Sequence, residues 1–224
     1  MCGLEIFDGT HLCPDCAKTV TKNNKISCPV CGRRVTSRGI CEECKYRMPV
    51  FEKCVSALVY ADGAMALVYK FKTDGAYLKD WFAELLQTKL KELPKPDALI
   101  PVPASKKSAR RRGYDQTRLL AESLSRLTGI EVLTAVKKTT DTPAQKNLKY
   151  SERVKNLAGT FEVTDKNAIR GKSVLIVDDV MTTGATLNEV ARVLKKCGAA
   201  HVYAAVVASV EYGVKTNPLL SDRL

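Results

Sequence analysis

The fold of this chain is decided by thirteen residues, Val174-Leu-Ile-Val-Asp-Asp-Val-Met-Thr-Thr-Gly-Ala-Thr186. The first four form a continuous apolar run, which is typical of a strand buried on both faces of a parallel sheet. Asp178 and Asp179 follow at the carboxyl end of this strand, the edge at which open α/β sheets bind their ligands. Two adjacent carboxylates are costly inside a core, but at this edge they can accept hydrogen bonds from vicinal hydroxyls.

The loop that follows the acidic pair, Thr182 to Thr186, combines hydroxyl groups with a glycine at the start of a predicted helix. Gly184 permits a tight turn, so that backbone N–H groups, hydroxyls and the helix N-terminus point to one place and form an anion-binding nest. An ordinary strand-to-helix connection is the alternative, but a helix cap needs fewer polar residues than this. The whole stretch therefore predicts a sugar-phosphate binding site.

These thirteen residues resemble the phosphoribosyl-pyrophosphate (PRPP) motif of type I phosphoribosyltransferases. The resemblance implies that Asp178 and Asp179 are the catalytic-site carboxylates that hold the ribose 2′- and 3′-hydroxyls. It implies that the 5′-phosphate is bound by Thr182, Thr183, Gly184, Ala185 and Thr186. It also implies Mg²⁺ bound with PRPP, and attack of an acceptor on C1 through an oxocarbenium-like state that positioning and electrostatics would stabilise.

Cysteine spacing is the second strong signal, with three Cys-x-x-Cys pairs in the first fifth of the chain. A structural zinc site is predicted for the pairs Cys28/Cys31 and Cys41/Cys44. A disulfide framework is the competing interpretation, but no apolar signal segment precedes the pairs and the rest resembles a cytosolic α/β protein. With thiolates in all four positions the metal has no place for an activated water, so we expect its removal to unfold this module and to spare PRPP binding.

A second metal site is also expected from the remaining cysteines, although its ligand set is incomplete. Cys2, Cys13 and Cys16 provide three ligands, and either His11 or Cys54 could provide a fourth. His11 can equally be a solvated loop residue, and Cys54 can be a small core residue of an apolar strand.

Length and composition favour a small N-terminal cysteine-rich module, residues 1–49, followed by one compact domain, residues 50–224. No apolar run approaches the roughly 20 residues of a membrane span, so we expect a cytoplasmic protein without membrane insertion. The net charge of +12 favours an anionic ligand or a polyanionic partner.

Strand and helix patterns alternate along the second domain, which predicts a doubly wound parallel sheet flanked by helices. The predicted strands cover residues 55–60, 98–103, 130–136, 174–180 and 202–207. The predicted helices cover residues 64–71, 77–93, 114–127 and 185–196.

Two basic loops bounded by Gly and Pro, residues 101–116 and 137–161, complete the pattern. With the zinc module and the PRPP motif they resemble the ComF family of competence-associated, phosphoribosyltransferase-like proteins over nearly the whole chain. The resemblance places Lys106 and Arg112 in the pyrophosphate-binding loop, where Asp115 departs from the expected Asn. It matches the second loop, which often closes over the site, at Thr142, Gln145, Leu148, Arg153, Asn156 and Gly159.

Three functions are compatible with this resemblance. The chain is an active phosphoribosyltransferase on an acceptor that the sequence does not identify, a PRPP-binding protein in the uptake of single-stranded DNA with competence DNA-import proteins as partners, or a PRPP-sensing regulator. If the protein binds DNA, we expect the DNA phosphates to contact a cluster of basic residues. The alternative is that this cluster is an ordinary run of charged residues exposed to solvent. The cluster comprises Lys106, Lys107, Arg110, Arg111 and Arg112.

Overall fold

The computed structural model describes residues 10–140 and 157–213, and its centre is a five-stranded sheet in which every strand is parallel to its neighbours. The strand order is β1-β7-β6-β2-β3, and a two-stranded antiparallel ribbon, β4 with β5, lies beside it. The strands are β1 (Lys53–Val59), β2 (Ala98–Pro101), β3 (Glu131–Val132), β4 (Val136–Lys138), β5 (Phe161–Val163), β6 (Ser173–Met181) and β7 (His201–Ser209).

Helices cover both faces of the sheet, as the parallel arrangement requires. The helices are α1 (Pro14–Lys18), α2 (Glu42–Tyr46), α3 (Asp62–Phe71), α4 (Leu78–Leu90), α5 (Lys106–Arg112), α6 (Gln116–Thr128) and α7 (Ala185–Lys196). Among the described residues, none of these helices has the length and apolar character needed to cross a membrane.

The core is divided by the sheet into two layers. On one face, α3, α4 and α6 bury apolar residues that include Phe71, Phe82 and Leu120. On the other face lie α7, the β4–β5 ribbon and the cysteine-rich segment. The buried residues of α7 include Leu187, Val190, Ala191 and Leu194, which recur at helical spacing on one side of the helix. The predicted α/β class, with a parallel sheet between helices, is thus confirmed.

The cysteine-rich segment covers the outer edge of β1, the first strand in the sheet order. The Asn23 N–H donates to the Ala57 carbonyl at 2.8 Å, and the Cys54 N–H donates to the Val30 carbonyl at 2.8 Å. These bonds satisfy backbone groups that an open sheet edge would expose. The division between residues 49 and 50 stays a prediction.

Two predicted segments differ from the structure. The strand expected at 130–136 is two short strands, because Ile130 packs in the α3/α4/α6 layer whereas Ala135 and Val136 pack in the opposite layer, so the chain leaves the sheet between them. The segment 101–116 contains helix α5, for which Ser105 supplies the N-cap. The strand predicted at 174–180 agrees with β6, and the acidic pair lies within that strand, near its carboxyl end. The matches at residues 142–156 lie outside the described residues.

Candidate functional site

The two acidic residues of β6 point to opposite faces of the sheet, because successive side chains of a strand alternate. Asp179 shares its face with Val177, in the layer of α3 and α6, and Asp178 shares its face with Ile176, in the layer of α7. The exposed fractions are only 9% for Asp178 and 3% for Asp179. Buried carboxylates need partners, and Asp179 receives them from distant parts of the chain.

Asp179 is held by a network that joins four segments of the chain. The Lys72 ammonium lies 3.1 Å from Oδ1 of Asp179, and Gln116 Nε2 donates to Oδ2 at 3.0 Å. The Arg112 guanidinium in turn donates to Oε1 of Gln116. Arg112, which was predicted to belong to the pyrophosphate loop, is therefore connected to the acidic pair through one intervening side chain.

Lys72 is absent from the site residues predicted from the sequence. It follows α3 in a turn, and no local pattern distinguishes it from the other lysines of this basic chain. Its importance depends on the packing of α3 against the sheet, which brings the end of the helix to the carboxyl edge of β6. Tyr114 strengthens the same region, since its hydroxyl donates to the Phe71 carbonyl at 2.7 Å.

Asp178 has fewer partners than Asp179. Its Oδ1 accepts the N–H of Asp179 at 2.8 Å. Burial, followed by the charge of Asp179, raises the pKa of Asp178 well above its usual range, while Lys72 opposes that shift. A buried carboxyl in this condition gains from a cation or from hydroxyl donors that favour its charged form.

The predicted phosphate loop lies next to the acidic pair, between β6 and α7. Gly184 is the N-cap of α7 and has a φ of 79°, which is the left-handed conformation that favours glycine. The Ala185 N–H is 3.3 Å from Oγ1 of Thr183, and the side chains of Thr182, Thr183 and Thr186 are half-buried. The N-terminus of the twelve-residue helix α7 is directed at this loop, an arrangement that favours the binding of an anion.

Asp115 has a structural role that explains its departure from the expected Asn. Its Oδ1 accepts the N–H groups of Thr117 and Arg118, both at 3.2 Å, so that it caps α6. Its Oδ2 accepts the Ala104 N–H at 3.1 Å. The negative charge faces a helix N-terminus, where it is stabilised, and Asp115 also ties the two ends of the segment 104–115 together. Lys106 is the first residue of α5.

The predicted zinc ligands Cys28, Cys31, Cys41 and Cys44 lie together and are all buried. Their four Sγ atoms lie within 4.8 Å of one another, and the Sγ atoms of Cys31 and Cys41 are 3.7 Å apart. A tetrahedral Zn²⁺ with Zn–S bonds of about 2.3 Å needs sulfur atoms about 3.8 Å apart. Hydrogen bonds from the neighbouring thiols of Cys31 and Cys44 lower the pKa of Cys28. This donor set fits a closed structural zinc site.

The predicted second metal site is only partly described. Cys13 precedes α1, and its Sγ lies 3.5 Å from the Cys16 backbone nitrogen, while Cys2 lies outside the described residues. His11 Nε2 lies 3.0 Å from a carboxylate oxygen of Glu84, and Cys54 is buried in β1. Within residues 10–140 and 157–213, the four-cysteine cluster alone brings three or more metal-ligating side chains together. A second site stays a prediction.

Two family models match the chain. A phosphoribosyl transferase domain matches residues 111–217, and a double zinc ribbon matches residues 11–72. The first match contains the acidic pair, the phosphate loop and Arg112, and the second contains the four-cysteine cluster.

Several named proteins resemble the chain over most of its length. Competence protein F of Haemophilus influenzae is 33% identical over 84% of this chain and 85% of its own. DNA utilization protein YhgH of Escherichia coli is 30% identical over 85% of this chain and 87% of its own. Competence protein ComFC of Bacillus subtilis is 28% identical over 84% of this chain and 80% of its own.

Solved structures give weaker matches. The glutamine PRPP amidotransferase of B. subtilis covers 62% of this chain and 30% of its own at 16% identity, with a TM-score of 0.43. A purine phosphoribosyltransferase of Pyrococcus horikoshii covers 61% of this chain and 75% of its own at 27% identity, with a TM-score of 0.39. The fold assignment rests on the family model and on the sheet described above, and the family assignment rests on the relatives. By these relatives, and by the zinc ribbon joined to a phosphoribosyl transferase domain, the chain belongs to the ComF family of phosphoribosyltransferase-like proteins.

Proposed function

We propose that this protein binds PRPP with Mg²⁺ at the carboxyl edge of β6 and uses that site in the handling of single-stranded DNA in the cytoplasm. One observation carries the proposal: a buried pair of carboxylates, connected to Arg112, lies at the end of β6, and a loop of phosphate-binding type follows at the N-terminus of α7. The arrangement supplies negative groups for hydroxyls and positive groups for phosphates within one site.

Each part of PRPP has a counterpart in this site. The loop 182–186 receives the 5′-phosphate through backbone N–H groups and hydroxyls, and the helix dipole of α7 favours the charge. Asp178 and Asp179 accept hydrogen bonds from the ribose hydroxyls. The pyrophosphate faces Arg112 and α5, and the carboxylates suit a hard cation such as Mg²⁺, which would neutralise charge between ligand and protein.

The role in DNA handling is supported by the relatives and by charge. Two of the relatives are named as competence proteins and a third as a DNA utilization protein. The exposed side chains of α5 include Lys107, Arg110 and Arg111, and the whole chain carries a net charge of +12. Such a surface attracts nucleic-acid phosphates without sequence preference. Proteins that import DNA during competence are the partners we expect.

Turnover of PRPP is the second candidate function. The buried carboxylates favour it, because negative groups fixed in a site with little water stabilise positive charge that develops at C1. A screen for pyrophosphate release with candidate acceptors tests this function. Release that depends on an acceptor and disappears in Asp178→Asn/Asp179→Asn supports an enzyme, and saturating PRPP binding without release for any acceptor contradicts it.

A calorimetric titration tests PRPP binding. We expect PRPP with Mg²⁺ to bind the zinc-loaded protein and to lose its affinity in Asp178→Asn/Asp179→Asn, because the amides cannot reproduce the charge of the carboxylates. A matched control, Asp15→Asn/Glu92→Gln, changes the net charge equally at exposed positions and should bind as the wild type does. If all three proteins bind PRPP with equal affinity, the acidic pair does not bind the ligand and the proposal is wrong.

A further inference from the structure

Arg33 lies in the zinc-binding segment, residues 28–50, which carries the four cysteines. It contacts Thr182 of the loop 182–186, which is 149 residues away in sequence. Its side chain is only 5% exposed. Its Nη1 donates to the Glu43 carboxylate, and its Nη2 donates to the Thr182 carbonyl at 2.7 Å. A buried guanidinium shared between a carboxylate and a backbone carbonyl is a strong, charge-assisted contact.

Both members of the ion pair are attached to the zinc ligands. Arg33 follows Cys31 by two positions, and Glu43 lies directly before Cys44. A tetrahedral metal would fix both cysteines, and through them the backbone of Arg33 and of Glu43. The direction of the guanidinium therefore depends on the geometry of the zinc site.

The contact determines which way a peptide group of the loop faces. In a planar trans peptide the C=O and the following N–H point in opposite directions. Because Arg33 draws the Thr182 carbonyl toward the zinc-binding segment, the Thr183 N–H points away from that segment. Thr183 is one of the loop residues whose amide is expected to receive the phosphate.

We propose that Arg33 is a positioning residue that orients the Thr182–Thr183 peptide for phosphate binding and thereby couples the zinc site to the affinity for PRPP. The coupling to PRPP rests on the proposed function, which supplies the ligand. The orientation of the loop by Arg33 does not depend on that function. It replaces the expectation that zinc removal would spare PRPP binding, since that expectation treated the two sites as independent.

A second contact allows this role to be separated from simple attachment of the zinc-binding segment. The Val50 N–H donates to Oδ1 of Asn188, in α7, at 2.6 Å. A variant at Arg33 leaves this contact in place. It therefore removes the hold on the loop while the segment stays attached to the helix behind it.

The test compares Arg33→Met with Arg34→Met, both zinc-loaded. Arg34 is a matched control, because it lies in the same segment and also donates to a carbonyl, that of Lys22 at 2.8 Å. We expect both variants to retain one equivalent of zinc in the four-cysteine site. In the ligand-free protein, the amides of residues 182–186 should exchange with solvent about tenfold faster in Arg33→Met, and the Kd for PRPP with Mg²⁺ should rise about tenfold. Arg34→Met should match the wild type in both the amide exchange rates and the Kd for PRPP.

Unchanged exchange and unchanged affinity in zinc-loaded Arg33→Met would overturn the inference. If the wild type fails to bind PRPP while the loop amides still exchange faster in Arg33→Met, the proposed function fails and the positioning role stands. Should Arg33→Met fail to fold, Arg33→Lys gives the same readouts: a single ammonium cannot keep both contacts, so exchange and Kd should lie between the wild type and the values expected for Arg33→Met. Wild-type values for Arg33→Lys would contradict the role.

Discussion

Asp178, which we propose to bind PRPP, should lower the stability of the ligand-free protein. Burial and the neighbouring Asp179 raise the pKa of Asp178, so its ionised form is disfavoured in the folded state. An acid whose pKa is raised by folding holds its proton more tightly when folded. Stability is therefore lost as the pH rises from the unfolded pKa, about 3.9, toward the raised folded value.

Asp178→Asn should therefore stabilise the ligand-free protein in a pH-dependent way. The amide keeps an oxygen for the Asp179 N–H and removes the charge. The gain in unfolding free energy over the wild type should be small near pH 4 and should grow toward pH 8, as measured by denaturant unfolding without PRPP or Mg²⁺. Asp15→Asn, at an exposed position, should show no such trend. A gain in Asp178→Asn that shrinks as the pH rises would contradict this account.

At the residue scale, the sequence predicts the residues of the contiguous motif, but it does not predict the side chains that contact them from distant parts of the chain. Asp178, Asp179 and the loop are recognisable because strand, acids and turn are contiguous. Lys72 and Arg33 are not, since each reaches the site through tertiary packing and has no local pattern around it.

Helix α5 is the element in which the predicted DNA-binding cluster can be divided by its contacts. Arg112 is bonded to Gln116 beside Asp179, whereas Lys107, Arg110 and Arg111 are exposed. The exposed three are available to nucleic-acid phosphates, and Arg112 is expected to serve the pyrophosphate. DNA binding and PRPP binding should therefore respond to different substitutions in the same helix.

We expect Lys107→Ala/Arg110→Ala/Arg111→Ala to weaken single-stranded DNA binding in fluorescence anisotropy. For each DNA phosphate that the variant no longer neutralises, the slope of log K against log salt should fall by about 0.7, because fewer counterions are released. A charge-matched control, Lys91→Ala/Lys95→Ala/Lys166→Ala, removes exposed lysines that precede β2 and β6, away from the carboxyl edge. If the two variants lose affinity equally, the loss is caused by the lower net charge alone, and α5 is not the DNA-binding surface.

At the element scale, long periodic patterns predict the structure and short ones do not. The strand at 174–180 and the helix at 185–196 agree closely with β6 and α7, since each buries a complete apolar run or stripe. The single strand predicted at 130–136 is wrong because its two ends belong to different layers of the core. The pattern of apolar residues within these seven positions does not show which layer of the core each end joins.

For the whole molecule, the zinc site belongs to the core of the sheet domain. The four cysteines pack in the same buried cluster as Val174 and Ile176 of the central strand, and the segment that carries them covers the edge of β1. A metal bound there stabilises the folded state of everything in that cluster.

Removal of zinc should therefore lower the thermal stability of the whole described fold. We expect differential scanning calorimetry to show one cooperative transition for the zinc-loaded protein, and a shift of that transition to lower temperature after chelation under reducing conditions. A small separate transition that disappears with zinc, with the main transition unmoved, would show that the cysteine-rich segment is an independent unit.

A hydrogen-exchange footprint shows whether PRPP lies across the acidic pair and the loop of α7. The zinc-loaded wild type is compared with and without saturating PRPP and Mg²⁺, and the exchange of backbone amides is measured by mass spectrometry. This placement of PRPP predicts slower exchange in two peptides, one spanning 178–186 and one spanning 104–116, with no comparable change at the opposite edge around 91–97. Protection elsewhere, with none in 178–186, would contradict it.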